Sequence, residues 1–205
     1  MEKSNRILQT VREMFPNASC ELNYRNHYEL LVAVVLSAQT TDKRVNIVTK
    51  TLFEKYPTPL HLANAQFDDV YNIISALGLA KSKTNNIINL SKELIKKYDG
   101  IIPKTKEQLM SLPGVGGKTA NAVLMEGFRI PAIAVDTHVS RVANRLGLST
   151  SDDVKIIEQD LIKLYDEQDF YFVHHGLLFF GRYHCLAKKP KCNECKLKDI
   201  CNYQK

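Results

Sequence analysis

The sequence predicts an all-α protein. Apolar residues recur at helical spacing along most of the 205-residue chain, and no stretch sustains the alternating pattern of a half-buried strand. Proline, glycine and capping residues stand where the periodic segments stop, as expected at helix ends. These three observations together predict the fold class.

The first half of the chain contains five segments that we predict as helices. The first stops before Pro16. The second covers residues 28–38 and is predicted to be a buried core helix, because its apolar run is much shorter than the about 20 residues that span a bilayer. The third ends before Tyr56, the fourth is closed by Gly78, and the fifth ends at Asp99-Gly100.

The second half begins with a capping-box pattern, in which Thr105 and Gln108 open a short helix. Further helices are predicted near residues 119–127, 137–146, 154–164 and 170–180. The segment 127–136 (GFRIPAIAVD) breaks the helical periodicity and contains Pro131, so it is the predicted junction between domains.

The charge balance favours a polyanionic partner. Lysine and arginine exceed aspartate and glutamate by enough to give a formal net charge of +6. Neutralising phosphates releases counterions, so a nucleic acid is one expected partner, although many basic proteins carry such a charge for solubility. No segment has the pattern of a targeting signal or a membrane span, and we expect a cytoplasmic protein without a membrane partner.

Four of the five cysteines crowd the C-terminal part of the chain, with the spacing C-x6-C-x2-C-x5-C. Without a secretory signal a disulfide framework is not expected, and four thiolates suit either tetrahedral zinc or an iron–sulfur cluster. Spacing alone does not separate the two. These cysteines are Cys185, Cys192, Cys195 and Cys201, and the remaining Cys20 is predicted to be an ordinary buried or half-buried thiol.

A glycine-rich turn, LPGVGGK, occupies residues 112–118 between two predicted helices. Glycines allow left-handed backbone, and they let N–H groups approach a phosphate at the start of the next helix. The alternative is a plain connection between packed helices. A nucleotide-binding P-loop does not fit, because no strand precedes the turn and the glycine spacing is wrong.

Lys118 lies in the first turn of the helix that follows this turn. The positive end of a helix disfavours a cation, so this position is expected to lower the amine pKa and to favour the free base that Schiff-base chemistry needs. Eighteen residues later, Asp136 precedes a helix as an N-cap would, and His138 follows it.

These segments together resemble the endonuclease III family of DNA glycosylases. The resemblance is carried by LPGVGGKTAN and VDTHVSRVANRLGL, and it extends to residues 22–46, to GLAKSKTNNI and to the cysteine-rich segment. It implies a helix–hairpin–helix domain at residues 22–131 and an iron–sulfur domain at residues 1–21 plus 132–205. The DNA cleft and the active site would lie between these domains.

The resemblance also implies a role for individual residues. Lys118 matches the lysine that attacks the sugar C1′, and Asp136 matches the essential aspartate. Gln39 would enter the gap left by the extruded base, and Leu79 would wedge into the duplex. The other implied DNA-binding residues are Leu112, Gly114, Gly116, His138, Lys189 and Lys191. The four clustered cysteines would bind one [4Fe–4S] cluster per chain.

The implied activity is that of a bifunctional glycosylase and AP lyase of base excision repair. It would remove oxidised pyrimidines from double-stranded DNA and cleave 3′ to the abasic site through a lysine Schiff base. The expected partner is damaged or abasic duplex, bound by a monomer associated with a bacterial or archaeal nucleoid. The alternatives are a mismatch-directed glycosylase of the same superfamily and a non-catalytic DNA-binding module.

The sequence departs from the family pattern at two positions. Gly117 stands where family members often carry arginine, which removes one expected phosphate contact. Met110 stands where an acidic residue often occurs, so no proton relay passes through that position.

Overall fold

The computed structural model describes residues 2–203, so Met1, Gln204 and Lys205 of the predicted cluster domain lie outside the described residues. Over this range the chain forms eleven α-helices and no strand, which confirms the all-α prediction. The helices are α1 (Glu2–Met14), α2 (His27–Leu36), α3 (Asp42–Lys55), α4 (Pro59–Ala63), α5 (Phe67–Ile74), α6 (Ala80–Tyr98), α7 (Lys106–Met110), α8 (Gly117–Phe128), α9 (Thr137–Leu146), α10 (Val154–Leu164) and α11 (Phe170–Phe179).

The chain divides into two compact units. Glu21–Ile130 form one, here called the middle unit, and the described residues 2–20 and 131–203 form the other, here called the terminal unit. Each unit has its own apolar core. None of the helices in residues 2–203 is long and apolar enough to cross a membrane.

The middle unit is built around α2, which is apolar on every side. Nine of its ten residues are buried, and it packs against α3, α6 and α8, which confirms the predicted core helix. Asn26 caps this helix, because its side chain accepts a hydrogen bond from the backbone N–H of Glu29 at 2.9 Å.

The ends of two middle-unit helices follow the predicted signals. Helix α6 ends where Asp99 and Gly100 turn left-handed, with φ of 51° and 78°. Their N–H groups donate to the carbonyls of Ile95 and Leu94 at 3.1 and 3.2 Å. At α7, Thr105 Oγ1 accepts from the backbone N–H of Gln108 at 3.3 Å, as predicted for its cap.

Two features of the middle unit differ from the prediction. The expectation that Gly78 closes the fourth helix is wrong, because α5 ends at Ile74 and the left-handed residue before α6 is Leu79. Helix α4 was not predicted, since five residues are too few to show periodicity. It begins at a Thr58 cap with Pro59 in the first turn.

The terminal unit packs α1 and α10 around α9 and α11. The bounds of α9 and α10 coincide with those predicted, because Asp136 and Asp153 cap their first turns with side-chain oxygens. Helix α11 continues into one turn of π-helix, Phe180–His184, which leads directly into Cys185. This turn is packed closely on α9, since a Cβ on Gly181 would lie 3.0 Å from His138 Cβ.

Candidate functional site

The hairpin between α7 and α8 is anchored from within the middle unit. The Leu112 side chain is only 2% exposed and packs in the core with Val115, so any contact of Leu112 with DNA has to come from its backbone. The N–H of Val115 donates to the carbonyl of Leu112 at 3.2 Å and closes the turn. The hairpin is therefore held from behind by the core.

The fold needs glycine at the first of the two hairpin positions, Gly114, but not at the second, Gly116. Gly114 has φ of 77°, and a Cβ on it would lie 2.9 Å from Asn86 Cβ, so the fold itself needs glycine there. Gly116 has φ of −94°, and no atom lies within 4 Å of an added Cβ. The fold would accept a side chain at Gly116, and its absence keeps the start of α8 open to a ligand.

Lys118 is the second residue of α8, and its side chain is exposed. The cap residue of this helix, Gly116, provides no side-chain hydrogen bond to the first turn. The first N–H groups of a helix carry partial positive charge and bind anions. This end of α8 thus combines an exposed amine with backbone donors suited to a phosphate.

Gly117, the departure from the family pattern, has a lysine beside it. A Cβ on Gly117 would lie 3.8 Å from Cε of Lys106, which comes from the first turn of α7. The end of the Lys106 side chain therefore lies next to the position where family members often place an arginine. This is a local source of positive charge that the sequence did not indicate.

Asp136 is the N-cap of α9, as predicted. Its Oδ1 accepts from the N–H groups of His138 and Val139 at 2.9 and 2.8 Å, which fixes the orientation of the half-buried carboxylate. His138 is oriented by Arg141, whose Nη2 lies 3.2 Å from His138 Nδ1. The carboxylate and the imidazole are therefore both held in place within the terminal unit.

Gln39 and Leu79 share an unusual backbone conformation. Both are exposed, and both are left-handed, with φ of 53° and 60°. The Leu79 side chain is 58% exposed although it is a large aliphatic group. A left-handed non-glycine residue costs about 1–3 kcal/mol and tends to occur at functional sites. The structure therefore places both residues predicted to enter the duplex on strained, solvent-facing backbone.

The four clustered cysteines line one cavity of about 290 Å³ in the terminal unit. Within residues 2–203, no three His, Cys, Asp or Glu side chains are grouped closely enough to hold a single metal ion. Tetrahedral zinc draws its sulfur ligands to about 2.3 Å from one centre. A cavity of about 290 Å³ whose lining includes four thiols has room for an inorganic group larger than a single ion. Burial raises the pKa of the Cys195 thiol, and the neighbouring thiols add to this shift.

Two arginines of α9 hold the cysteine-rich segment to the rest of the terminal unit. Arg141 donates to the carbonyl oxygens of Gly181 and Cys185 at 2.7 and 3.2 Å. Arg145 donates to the carbonyl of Leu186 at 2.8 Å and lies 3.4 Å from Cys185 Sγ. The sequence did not indicate that either arginine holds this segment, although their spacing of four residues on one helix face was a usable signal.

The lysines of the same segment are exposed to solvent. Lys189 is left-handed, with φ of 54°, and Lys191 is tied to the π-helical turn because its N–H donates to the carbonyl of His184 at 3.2 Å. Cys20 does not line the cysteine cavity and is half-buried, which agrees with its predicted role as an ordinary thiol.

Comparisons with known proteins agree with these features. The family model described as "HhH-GPD superfamily base excision DNA repair protein" matches residues 32–167. The endonuclease III of Bacillus subtilis is 47% identical over 195 residues, which cover 95% of this chain and 89% of that protein. The endonuclease III of Escherichia coli is 40% identical over 206 residues, covering 100% of this chain and 98% of that protein.

Solved structures of endonuclease III are also similar to this chain. A trapped endonuclease III–DNA covalent intermediate, an estranged-adenine complex, has a TM-score of 0.94 and 47% identity, covering 97% of this chain and 93% of that one. A thermostable thymine-DNA glycosylase has a TM-score of 0.89 at 23% identity, covering 98% and 96%, which shows a shared fold. The chain therefore belongs to the endonuclease III family of base excision repair enzymes, which are DNA glycosylases and AP lyases.

Proposed function

We propose that this protein removes oxidised pyrimidines from double-stranded DNA and cleaves the strand 3′ to the abasic site, with Lys118 as the nucleophile. The observation that carries the proposal is that Lys118 is an exposed residue in the first turn of α8, which its N-cap residue does not cap with a side chain. Such a helix end can bind a DNA phosphate through its N–H groups while the adjacent amine reaches the sugar.

The reaction begins when the damaged nucleotide leaves the base stack, since its glycosidic bond is inaccessible within the duplex. Gln39 and Leu79 fill the space that it vacates. The neutral Lys118 amine attacks C1′, and the glycosidic electron pair leaves with the base. Asp136 stabilises the positive charge that develops on the sugar, or assists proton transfer.

Ring opening then gives a protonated Schiff base between Lys118 and C1′. Loss of a proton from C2′ and departure of the 3′ phosphate complete a β-elimination, which breaks the strand. Water releases the lysine and leaves the sugar remnant on the 5′ fragment. Apart from the proton transfers and the water of the last step, every bond change is made between the lysine, the sugar and the leaving groups.

Cys185, Cys192, Cys195 and Cys201 are proposed to hold one [4Fe–4S] cluster, supported by the cavity that they line. The cluster would support the structure and would take no part in the removal of the base. It would hold the segment so that Lys189 and Lys191 meet DNA phosphates. Purified protein should contain about four irons per chain. One zinc and no iron per chain would contradict this assignment.

The same proposal specifies the DNA substrate, the number of protein chains that act on it and the place of the reaction in the cell. Damaged bases and abasic sites in duplex DNA are the substrates, and one chain suffices to act on them. We place the reaction in the cytoplasm, at the nucleoid. A panel of duplexes carrying oxidised pyrimidines or mismatched thymine separates the proposed specificity from that of a mismatch-directed relative.

Borohydride reduction of the Schiff base tests the nucleophile. Wild-type protein incubated with abasic duplex should give a covalent adduct, and Lys118→Ala should give none. Lys92→Ala is the matched control, because it removes an exposed lysine from α6 in the same unit. An undiminished adduct in Lys118→Ala would overturn the proposed nucleophile.

A further inference from the structure

Lys83 is a buried lysine for which the proposed reaction has no use. It is the fourth residue of α6 and only 3% exposed. Its Nζ donates to Oγ1 of Thr40 at 2.7 Å, and no carboxylate among residues 2–203 forms an ion pair with it. Burial lowers the pKa of this ammonium. A hydroxyl is its one polar partner in the middle unit.

This placement works against the stability of the fold. Burying a cation without a carboxylate costs desolvation energy that one hydroxyl does not offset. The first turn of a helix is also the end where a positive charge is least favourable. A methionine would fill much the same space without either cost. The lysine is therefore poorly explained by packing alone.

The Lys83–Thr40 bond joins two segments that are 43 residues apart in sequence. Thr40 directly follows Gln39. On the other side, the N–H of Lys83 donates to the carbonyl of Leu79 at 2.9 Å, so the lysine belongs to the same helical turn as Leu79. The bond thus links the segment that carries one left-handed residue to the segment that carries the other.

The two segments also approach each other through their backbones. A Cβ on Gly78 would lie 3.7 Å from the carbonyl oxygen of Gln39, so the chain before Leu79 lies against the chain at Gln39. Van der Waals contact alone would let these segments slide. A directional, charge-assisted hydrogen bond fixes their separation and register.

We propose that Lys83 is a positioning residue that holds the Gln39 and Leu79 segments in register, so that both side chains enter the duplex together. The inference deepens the proposed function and rests on the insertion roles of those two residues. The lysine acts through Thr40 and does not touch the DNA. Its effect is on binding and insertion, whereas the rate of the chemical step on a bound, flipped nucleotide stays unchanged.

The test compares Lys83→Met with wild type in three measurements. The first is the Kd for a duplex with a stable abasic analogue, and the second is the fluorescence of 2-aminopurine opposite that analogue, which reports insertion. The third is the Tm. Loss of a charge-assisted hydrogen bond should weaken binding about tenfold. The fluorescence change should shrink, and the Tm should stay the same or rise.

Variants of Thr40 keep the test independent of the folding of Lys83→Met. Thr40→Val should weaken binding as Lys83→Met does, Thr40→Ser should retain it, and the double variant Lys83→Met/Thr40→Val should bind no more weakly than either single one. Lys92→Met removes an exposed lysine from the far part of the same helix and should bind as wild type does.

Three results would overturn the inference. The first is that Lys83→Met binds the duplex and changes the 2-aminopurine fluorescence as Lys92→Met does. The second is that the losses of binding in the two single variants add up in the double variant. The third is that Lys83→Met has a lower Tm but still inserts its side chains, as judged by the fluorescence. Gln39→Ala and Leu79→Ala in the same assays separate this failure from failure of the proposed function. If those two lose insertion while Lys83→Met keeps it, the insertion roles stand and only the link is wrong.

Discussion

Helices α8 and α9 begin in opposite ways. Helix α8 starts after Gly116, which has no side chain to cap its first turn, and it exposes Lys118 there. Helix α9 starts after Asp136, whose Oδ1 accepts hydrogen bonds from two N–H groups of its first turn. The cap residue of α8 gives its first turn no side-chain acceptor, whereas the cap residue of α9 uses that turn's donors to orient a carboxylate.

The difference shows how one physical feature supports two tasks. The N-terminal N–H groups of any helix carry partial positive charge and need an acceptor. At α8 the cap residue has no side chain to meet that need, and in the proposed function a DNA phosphate meets it. At α9 the carboxylate meets it and is held half-buried in a defined orientation.

Asp136→Asn should separate capping from chemistry at α9. Asparagine caps a helix about as well as aspartate, so the free energy of unfolding should change little. If Asp136 stabilises charge on the sugar as proposed, removing its charge should lower the single-turnover rate on damaged duplex about 100-fold. Asp136→Ala is the control that also loses about 1 kcal/mol of stability. Full activity in Asp136→Asn would mean that Asp136 is a cap only.

Gly114→Ala tests which hairpin glycine the fold requires. With φ of 77° and Asn86 Cβ 2.9 Å from the new methyl group, the variant should lose stability. We expect the free energy of unfolding in urea to fall by about 1–3 kcal/mol. Gly116→Ala is the matched control and should keep its stability, because nothing lies within 4 Å of its added Cβ. Equal losses in both variants would refute the distinction.

Gly116→Asp would give α8 the kind of cap that α9 has. The carboxylate should stabilise the first turn by a few tenths of a kcal/mol. It should also compete with DNA phosphate for the same N–H groups and repel it, so the Kd for abasic-analogue duplex should rise about tenfold. Gly116→Ser caps without charge and should bind more tightly than Gly116→Asp. Unchanged binding in Gly116→Asp would show that this helix end does not hold a phosphate.

Lys106→Met tests the charge beside Gly117. If Lys106 supplies the cation that arginine often supplies at position 117, its loss should weaken duplex binding about threefold. The slope of log Kd against log salt should fall by about one. Gly117→Arg in the same background should restore both, because its Cβ has room beside Lys106 Cε. A salt slope that does not change would exclude the phosphate contact.

Local signals in the sequence were enough for much of the fold and for part of the site. Asp136 and Asp153 cap helices whose bounds the sequence predicted, because an N-cap acts on its own first turn. The left-handed conformation of Leu79 was not predicted. The left-handed turn was expected at Gly78, since glycine adopts it without strain, and the strain at Leu79 is imposed by the surrounding fold.

Lys83 shows a second limit of sequence-based reasoning. Lysine is almost never fully buried, so pattern reasoning places it on the surface. Its partner Thr40 is 43 residues away, and no local rule connects the two. The role of Lys106 beside Gly117 likewise depends on how α7 meets α8. Contacts between segments that are distant in sequence could therefore be found only from the structure.

The identity of the nucleophile is tested most directly by finding which side chain carries the trapped sugar. The borohydride-reduced adduct on abasic duplex is digested with nuclease and protease, and the modified peptide is sequenced by mass spectrometry. If Lys118 is the nucleophile, the sugar remnant lies on Nζ of Lys118 at the start of α8. A remnant on any other lysine, or on the N-terminal amine, would contradict it.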